Sequence, residues 1–356
     1  MKKFKFVVAI LAMAIMLAAC GNNNDANTAA NTEVPPAETQ TNATEPAKAD
    51  TAADASTPAF PMTISSTVGS TENEEKGTIN FEDVTFKEMP KKIVVFDYGF
   101  LDTLDALGVE GIVAVAKGAN GSSLPSHLQK YSADEYANAG SLKGPLFEDI
   151  AELQPDAIFI SGRQSTFYEE LKEIAPVVFV GTQQDNYWDT FLSSVDLAAK
   201  LFGKEAEAAE YTAQYDAKLA EVKALAGNFS NSLVTMYNEG KLSGFNTASR
   251  FGYVYSIYGF TPVTEDIQSS SHGSNFGYEA ILEFNPEVIF VIDRTVATDS
   301  NATSNIEADM ENDIIKKTTA YQNNRIVYLD GPLWYTSGGG LTSELAKIDE
   351  ILAELK

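Results

Sequence analysis

Arginine is the residue type whose placement in this chain indicates chemistry most directly. Of the 25 lysines and arginines only four are arginines, and Arg163, Arg250 and Arg294 follow apolar runs or lie in loops of small polar residues. A guanidinium group holds planar anionic oxygens through paired hydrogen bonds, which a lysine cannot do. We therefore predict that these three form a site for an anion, although for any one alone a surface salt bridge is the simpler explanation. Arg325, which precedes a predicted strand, is assigned a salt bridge.

Aromatic residues occupy loops of the same kind. Trp334 and Tyr335 lie in LDGPLWYTSGGGLTS. Tyr98 follows an apolar run in FDYGF, and His272 lies in SSSHGSNFGY. Aromatic faces beside guanidinium groups suit a flat aromatic ligand, and we assign all four residues to the same site. Packing beneath a loop is the alternative for Trp334 and Tyr335, and an ordinary loop position is the alternative for His272. His127 is assigned to the surface or to a structural role. The GGG at 338–340 lacks a following Lys-Ser/Thr and is not a nucleotide P-loop.

The elements that would position these side chains alternate between apolar, β-rich runs and helical patterns. Continuous apolar runs are typical of parallel strands covered on both faces. Sheets of this kind bind ligands beyond the carboxyl ends of their strands, where Arg163 and Arg294 fall. The predicted class is α/β, with one helix at Leu101–Leu107 that ends before Gly108. The predicted strands are Ile93–Asp97, Ile112–Ala116, Ala157–Ser161, Val177–Gly181, Leu233–Tyr237, Val288–Ile292 and Ile326–Leu329.

A long helix and an internal repeat predict two lobes. Residues 203–226 are rich in Ala, Glu, Lys and Leu and predict one long helix between two sets of strands. Phe147–Ile160 and Tyr278–Val291 match at an offset of 131 residues, and Arg163 and Arg294 fall at the same offset. Chance similarity between helix–turn–strand units is the alternative. The predicted organisation is an N-terminal lobe at 59–200, a connector helix within 201–228, and a C-terminal lobe at 229–356, with the ligand cleft between two Rossmann-like lobes.

The N-terminus has the pattern of an exported, lipid-anchored protein. Three lysines precede the unbroken apolar run Phe6–Ala19, whose 14 residues suit a signal peptide better than a membrane span. Small residues then precede Cys20, the only cysteine, in a pattern that resembles a bacterial lipobox. An ordinary signal peptide with an incidental cysteine is the alternative. We predict a signal peptide at 1–19 and a disordered tether at 20–58 that starts at a lipidated Cys20, because this stretch has almost no large apolar side chains.

Composition excludes several classes of function. The 50 Asp and Glu residues give a net charge of −25, which provides no basic surface for nucleic acid. One cysteine excludes a disulfide framework and a CxxC zinc site, and two histidines leave little room for a multi-histidine metal site. The chain also lacks a GxSxG nucleophile motif. We therefore predict a binding protein and not an enzyme; a metal-assisted hydrolase and an adhesin are the weaker alternatives.

From about Phe60 to Lys356 the chain resembles bacterial substrate-binding lipoproteins for ferric siderophores, in particular the catecholate and petrobactin receptors. The resemblance is carried by PKKIVVFDYGFLDTLDALGV, PDAIFISGRQS, TASRFGYVYSIYGF, PEVIFVIDR and YLDGPLWYTSGGG. It implies two lobes joined by one rigid helix. It also implies capture of an Fe(III)-siderophore at the outer face of the cell membrane and its delivery to an ABC permease for iron transport.

The same resemblance implies roles for individual residues. Arg163, Arg250 and Arg294 match the arginines that face the catecholate oxygens. His272 and Tyr335 match the residues that contact iron directly in some members. Glu148 and Glu279 match the acids, one on each lobe, that dock on the permease dimer. The resemblance implies no intrinsic cofactor, a monomer, and partners limited to the siderophore, the permease with its ATPase, and the membrane. Haem or a hydroxamate siderophore on the same scaffold is the alternative cargo.

Overall fold

Buried apolar runs build two five-stranded sheets in this protein, for which we describe a computed structural model. The described residues are 57–73, 76–118, 124–268, 272–275, 277–298 and 302–356. The predicted signal peptide, Cys20 and nearly all of the predicted tether lie outside them. The described residues belong to one compact unit. Within the described ranges, no helix combines the length and the apolar character that a membrane crossing requires.

The strands of the described residues are short. In chain order they are β1 Met62–Ile64, β2 Ser70–Asn73, β3 Gly77–Asn80, β4 Val84–Phe86, β5 Ile93–Val95, β6 Ile112–Val115, β7 Ala137–Asn138, β8 Gly140–Ser141, β9 Gly144–Pro145, β10 Ala157–Ile160, β11 Val177–Phe179, β12 Ser232–Asn238, β13 Lys241–Phe245, β14 Ser274–Asn275, β15 Val288–Asp293 and β16 Ile326–Leu329. All the predicted strands are present.

The helices of the described residues vary more in length. In chain order they are α1 Tyr98–Ala106, α2 Phe147–Leu153, α3 Tyr168–Lys172, α4 Tyr187–Phe202, α5 Glu205–Ala226, α6 Tyr253–Ser256, α7 Tyr278–Phe284, α8 Arg294–Thr298, α9 Ile306–Met310, α10 Thr319–Gln322, α11 Gly331–Tyr335 and α12 Leu341–Leu355. Short 3₁₀ helices occur at Ser126–Ser132, Ser165–Phe167 and Ile315–Lys317.

The first sheet is fully parallel, as its buried runs predict. Its strand order is β11-β10-β5-β6-β7, and each neighbouring pair is parallel. The strands β5, β10 and β11 are buried along their whole length. The four predicted strands of this sheet end one or two residues earlier than predicted, because their last residues turn into the loops beyond the sheet.

The second sheet is mixed, and part of it was not predicted. Its order is β14-β13-β12-β15-β16; β12, β15 and β16 are parallel, whereas β13 runs antiparallel to both of its neighbours. A two-residue turn, Glu239 (φ 50°) and Gly240 (φ 81°), joins β12 to β13. Two successive positive φ values are typical of the hairpin turn whose twist matches that of the strands. In the sequence, the Glu-Gly pair between the two runs could have indicated this hairpin.

The ends of the predicted helices follow from local hydrogen bonds. The Asp97 carboxylate accepts a hydrogen bond from the Phe100 backbone N–H at 2.8 Å and so caps the start of α1. The helix ends at Ala106, and Gly108 has φ +65°, as a glycine after a helix end permits. The long helix predicted at 203–226 is observed as α5, which follows β11 and α4 and precedes β12.

The structure confirms the internal repeat. Helices α2 and α7 both end in a left-handed residue, Gln154 (φ 51°) and Asn285 (φ 45°), and strands β10 and β15 follow. Asp156 and Glu287 lie two residues after these left-handed residues. Their carboxylates accept hydrogen bonds from backbone N–H groups of the segments that lead into β5 and β12 respectively. Each copy therefore places a central strand beside the first strand of its sheet in the same way, and this makes the carboxyl ends of β10 and β15 equivalent positions.

Candidate functional site

The carboxyl ends of β10 and β15 carry the two arginines related by the repeat. Arg163 lies three residues past β10, and Arg294 directly follows β15. Both are partly exposed, and both line one cavity of about 380 Å³. Lys143, in the turn between β8 and β9, lines the same cavity. The described residues that line this cavity include no carboxylate, so it is locally positive in a chain of net charge −25.

Two arginines converge on Tyr335 at the end of α11. The Arg294 Nε donates a hydrogen bond to the Tyr335 hydroxyl at 2.9 Å, while its Nη1 donates to Asn238 Oδ1 at 2.9 Å. The Arg250 Nη2 donates to the Tyr335 backbone carbonyl, and the guanidinium carbon lies 4.1 Å from the centroid of the Tyr335 ring. Tyr335 is thus clamped through its ring, its hydroxyl and its backbone.

Arg163 brings a third charge to the same place. It lines the first cavity with Arg294 and a second cavity with Arg250, and Tyr335 and Thr336 line both cavities. Burial and then the charge of Arg163 lower the pKa of the Arg250 guanidinium from its usual value. The three positive charges therefore repel one another, and an anion bound between them would relieve that repulsion.

The second cavity is more aromatic and nearer to charge balance. Its volume is about 500 Å³, and besides Arg163 and Arg250 it has the carboxylates of Glu72 and Asp97 in its lining. Its aromatic lining residues are Tyr187, Phe251, Tyr253, Trp334 and Tyr335. Tyr253 stacks on Tyr187 with ring centroids 4.4 Å apart and on Trp334 at 6.0 Å. The two adjoining cavities thus offer a cationic chamber beside an aromatic one.

The arginines change the acidity of Tyr335. Burial acts to raise the pKa of its phenol, but the hydrogen bond from Arg294 and the charges of Arg250, Arg294 and Arg163 outweigh burial and lower that pKa below its usual value. Ten other tyrosines have a pKa shifted in the opposite direction, and burial is the largest cause of the rise for each of them. Tyr335 is therefore the residue of the site best able to present a phenolate.

We expect Tyr335 to ionise before the ten tyrosines whose pKa is raised. A spectrophotometric titration of tyrosinate absorbance should show an early phase that Tyr335→Phe removes. Arg294→Ala should move that phase to higher pH, since it deletes both a hydrogen bond and a positive charge. An early phase that persists in Tyr335→Phe would contradict the assignment.

His272 lies near the arginines but lines neither cavity. Partial burial and the charges of Arg294, Arg250 and Lys143 lower the pKa of its imidazole, so the ring lies within the electrostatic reach of the site. Its side chain is exposed, and residues 269–271 beside it are outside the described part of the chain.

The assignment of Tyr98 to the ligand site was wrong. Its side chain is 1% exposed, and its hydroxyl donates to the Ala116 carbonyl at 2.6 Å. Tyr98 is the first residue of α1, so the helix carries its ring into the core beside β6 and away from both cavities.

Trp334 is packed in the interior and also lies in the lining of a cavity. It is 1% exposed, and its indole N–H donates to Glu350 Oε2 on α12 at 2.6 Å, which is the packing predicted as the alternative. It also contributes to the lining of the second cavity.

The remaining predicted residues lie elsewhere. Glu148 and Glu279 are exposed in the first turns of α2 and α7, at equivalent positions of the repeat. Arg325 precedes β16, and its guanidinium lies 5.0 Å from the Phe229 ring centroid instead of in an ion pair within the described residues. Hydrogen bonds from Ser230, and after them the charge of Arg325, lower the pKa of Glu287.

Sequence reasoning missed Lys143 and Asn238. Lys143 lies in a turn, SLKGP, that looks like any solvated surface turn, and Asn238 is the last residue of β12. Nothing in the sequence distinguished Lys143 from the other lysines, because its place in the cavity depends on how the β8–β9 hairpin folds back. Asn238 lies at the carboxyl end of a central strand, and that position could have identified it from the sequence.

Comparison with known proteins gives consistent matches. The family model described as periplasmic binding protein matches residues 93–333. The petrobactin-binding protein YclQ of Bacillus subtilis is 43% identical over 74% of this chain and 81% of its own length. The ferric-anguibactin-binding protein FatB of Vibrio anguillarum is 29% identical over 77% of this chain and 85% of its own. The crystal structure of the periplasmic catecholate-siderophore binding protein VctP of Vibrio cholerae matches with a TM-score of 0.69 and 32% identity, covering 80% of this chain and 99% of that one.

Proposed function

Because this chain belongs to the periplasmic binding protein family, we propose that it captures a ferric siderophore outside the cell membrane and delivers it to an ABC-type permease for iron uptake. The siderophore is of the catecholate, petrobactin-like type. Iron arrives as part of this cargo, and the protein needs no intrinsic cofactor. The relatives are named as binding proteins, and we propose no enzymatic activity.

The observation that carries the proposal is the convergence of Arg163, Arg250 and Arg294 around Tyr335, beside a cavity whose described lining has no carboxylate. A ferric tris-catecholate has a charge of −3, which three guanidinium groups would balance. A hydrogen bond to a charged group contributes about 1.5–3 kcal/mol, before the cost of desolvating the arginine. The aromatic lining of the second cavity suits the catechol rings.

Two residues are proposed as direct contacts to iron. When a tetradentate siderophore leaves two coordination positions open, a phenolate and an imidazole can complete the set. The lowered pKa values of Tyr335 and His272 favour the phenolate of the first and the neutral imidazole of the second. These are the protonation states that bind a metal ion.

We further propose that the two sheets belong to two lobes, 59–200 and 229–356, joined through α5 within 201–228. The ligand would then lie between the carboxyl ends of β10 and β15. A single long helix between lobes allows only small relative movement, so the cleft would be largely preformed. The protein would act as a monomer.

The test is a binding titration with the chain from residue 21 onward, which lacks the lipidation cysteine. Quenching of Trp188 and Trp334 fluorescence is measured with ferric tris-catecholate, a ferric hydroxamate and hemin in parallel. Saturable quenching by the catecholate alone supports the proposal. Quenching only by hemin or the hydroxamate would select the alternative cargo and contradict the arginine argument, and a Soret shift would identify haem ligation.

Membrane attachment is proposed to depend on Cys20. We expect Cys20→Ala to move the protein from the membrane fraction to the medium or periplasm, because the chain then has no lipid to hold it. Fractionation followed by immunoblotting measures this change. Retention of the variant on the membrane would contradict the lipid anchor, and ligand affinity should not change.

Docking on the permease is proposed to use Glu148 and Glu279, which the repeat places at equivalent exposed positions. We expect Glu148→Lys with Glu279→Lys to abolish ferric siderophore uptake by cells while ligand affinity is unchanged, since both side chains lie outside the two cavities. Glu283→Lys, another change of an exposed-face acid on α7, is the control. Normal uptake by the double variant would contradict this docking surface.

A further inference from the structure

The GGG motif, which the predicted function leaves unexplained, lies directly beside the site. Residues 336–340, here called the triglycine loop, connect the end of α11, which carries Tyr335, to the start of α12. Thr336 lines both cavities and Gly338 lines the second. The loop begins at the residue after Tyr335, so any movement of the loop would be transmitted directly to Tyr335.

The glycines are required by close packing. A Cβ added to Gly338 would lie 2.9 Å from the Tyr187 hydroxyl, and one added to Gly339 would lie 2.7 Å from Thr182 Cγ2. A Cβ on Gly340 would overlap the Asp102 carboxylate. Gly339 also has φ +86°, which disfavours a side chain. The loop is thus held tightly against α1, α4 and the segment after β11.

Asp102 supplies the helix cap that the loop lacks. Gly340 is at the N-cap of α12 and has no side chain to cap it. The Asp102 Oδ2 accepts the Ser343 backbone N–H at 2.7 Å, and Oδ1 accepts the Thr342 hydroxyl. Ser343 is the third residue of α12, whose N–H an N-cap side chain would normally satisfy. A carboxylate on α1 therefore caps α12 from a distance of 241 residues along the chain.

Glu344 fixes the loop from its other side. Its Oε1 accepts the Gly339 backbone N–H at 2.9 Å and also accepts the Tyr187 hydroxyl. Lys347 balances its charge at 2.6 Å, and both side chains are fully buried. The two carboxylates thus hold the loop from opposite directions.

We propose that the triglycine loop holds Tyr335 in register with the arginines, and that Asp102 is the positioning residue that fixes this loop. Arg163 follows the first sheet, whereas Arg250 and Arg294 follow strands of the second. Tyr335 is hydrogen-bonded to the latter two, and α12, which begins directly after the loop, is bound through Ser343 to Asp102 on α1, which follows β5 of the first sheet. Asp102 thereby sets the spacing between the arginine of one sheet and those of the other. The consequence for affinity rests on the proposed function, whereas the placement of Tyr335 does not.

The first test is Asp102→Asn. An amide keeps the volume but can no longer offer acceptors to both Ser343 and Thr342. We expect the early Tyr335 titration phase to move to higher pH, and the affinity for ferric tris-catecholate to fall about tenfold, which is the effect of losing roughly one hydrogen bond to a charged group. Asp156→Asn is the matched control, because Asp156 likewise accepts two hydrogen bonds, here both from backbone N–H groups, but lies outside both cavities. It should lower stability without moving either quantity.

The second test places a methyl group in the loop. Gly339→Ala should shift the Tyr335 phase in the same direction, whereas Gly108→Ala, also at positive φ but with open space around it, should not. An unchanged Tyr335 phase in both Asp102→Asn and Gly339→Ala would overturn the proposal, whatever their stability. The titration needs no ligand. Failure of the wild-type chain to bind any ferric complex would therefore contradict the proposed function but would not affect the conclusion about the placement of Tyr335.

Discussion

Arg294→Ala is expected to weaken binding of ferric tris-catecholate by roughly 10–150-fold, the effect of losing a hydrogen bond to a charged group of about 1.5–3 kcal/mol. Arg294 lines the cavity that has no described carboxylate, and it also holds the Tyr335 hydroxyl and Asn238. Its removal deletes one of three charges that would balance the ligand and also releases the Tyr335 hydroxyl from the hydrogen bond that holds it. Fluorescence titration of the chain from residue 21 onward measures the change in affinity.

Two matched variants make this prediction specific. Arg325→Ala removes the same side chain at the opposite end of a neighbouring strand, where it contacts Phe229, and should leave the affinity unchanged. Arg294→Lys keeps the charge but not the planar fork, and should give an intermediate affinity. Equal losses in Arg294→Ala and Arg325→Ala would show that only the net charge of the chain matters and would contradict the arginine site.

Lys347→Met is expected to lower the free energy of unfolding by about 3–5 kcal/mol, because it leaves the Glu344 carboxylate buried without a counter-charge. Both side chains are 0% exposed, and Lys347 Nζ lies 5.7, 5.4 and 5.6 Å from the ring centroids of Tyr187, Tyr253 and Trp334. Burial lowers the pKa of Lys347, while the charge of Glu344 opposes that shift. Urea unfolding followed by circular dichroism measures the effect.

The double variant Glu344→Gln with Lys347→Met should recover most of that loss. A glutamine oxygen can still accept the Gly339 N–H, and no buried charge remains, so the site no longer needs a counter-ion. Lys200→Met is the surface control: its pair with Asp196 at 2.7 Å is more than half exposed on both sides, and such pairs contribute about 0.3–0.5 kcal/mol. A loss in Lys347→Met no larger than in Lys200→Met would contradict the buried pair.

The positions of Arg163 and Arg294 could be predicted because they follow from strand patterns alone. The apolar runs identified the strands, and the repeat identified β10 and β15 as equivalent, so Arg163 and Arg294 had to lie at one edge of their sheets. The same reasoning assigned Tyr98 to the ligand site, where the structure does not place it. It also follows a buried strand, but the Asp97 cap starts α1 at once, and the first turn of that helix directs the ring inward.

The contacts that hold the site together could not be predicted. Asp102 and Ser343 are separated by 241 positions, and Tyr187 and Glu344 by 157. No local pattern marks such partners, because a buried carboxylate on an amphipathic helix has the same sequence signature as a solvated one. The GGG motif was visible, but its meaning depends on which side chains press against it, and that is a property of the assembled fold.

The carboxylate-free cavity has a consequence for how fast a ligand arrives. A trianionic complex that approaches a chain of net charge −25 is first repelled, and it is attracted only when it comes close to Arg163, Arg294 and Lys143. Salt screens the long-range repulsion first, since the Debye length is about 10 Å at 0.1 M. The association rate constant should therefore be nearly independent of ionic strength, or should rise with it, while the dissociation rate constant increases. Binding by this protein would then combine slow association with slow dissociation, unlike an electrostatically steered reaction, in which charge speeds association.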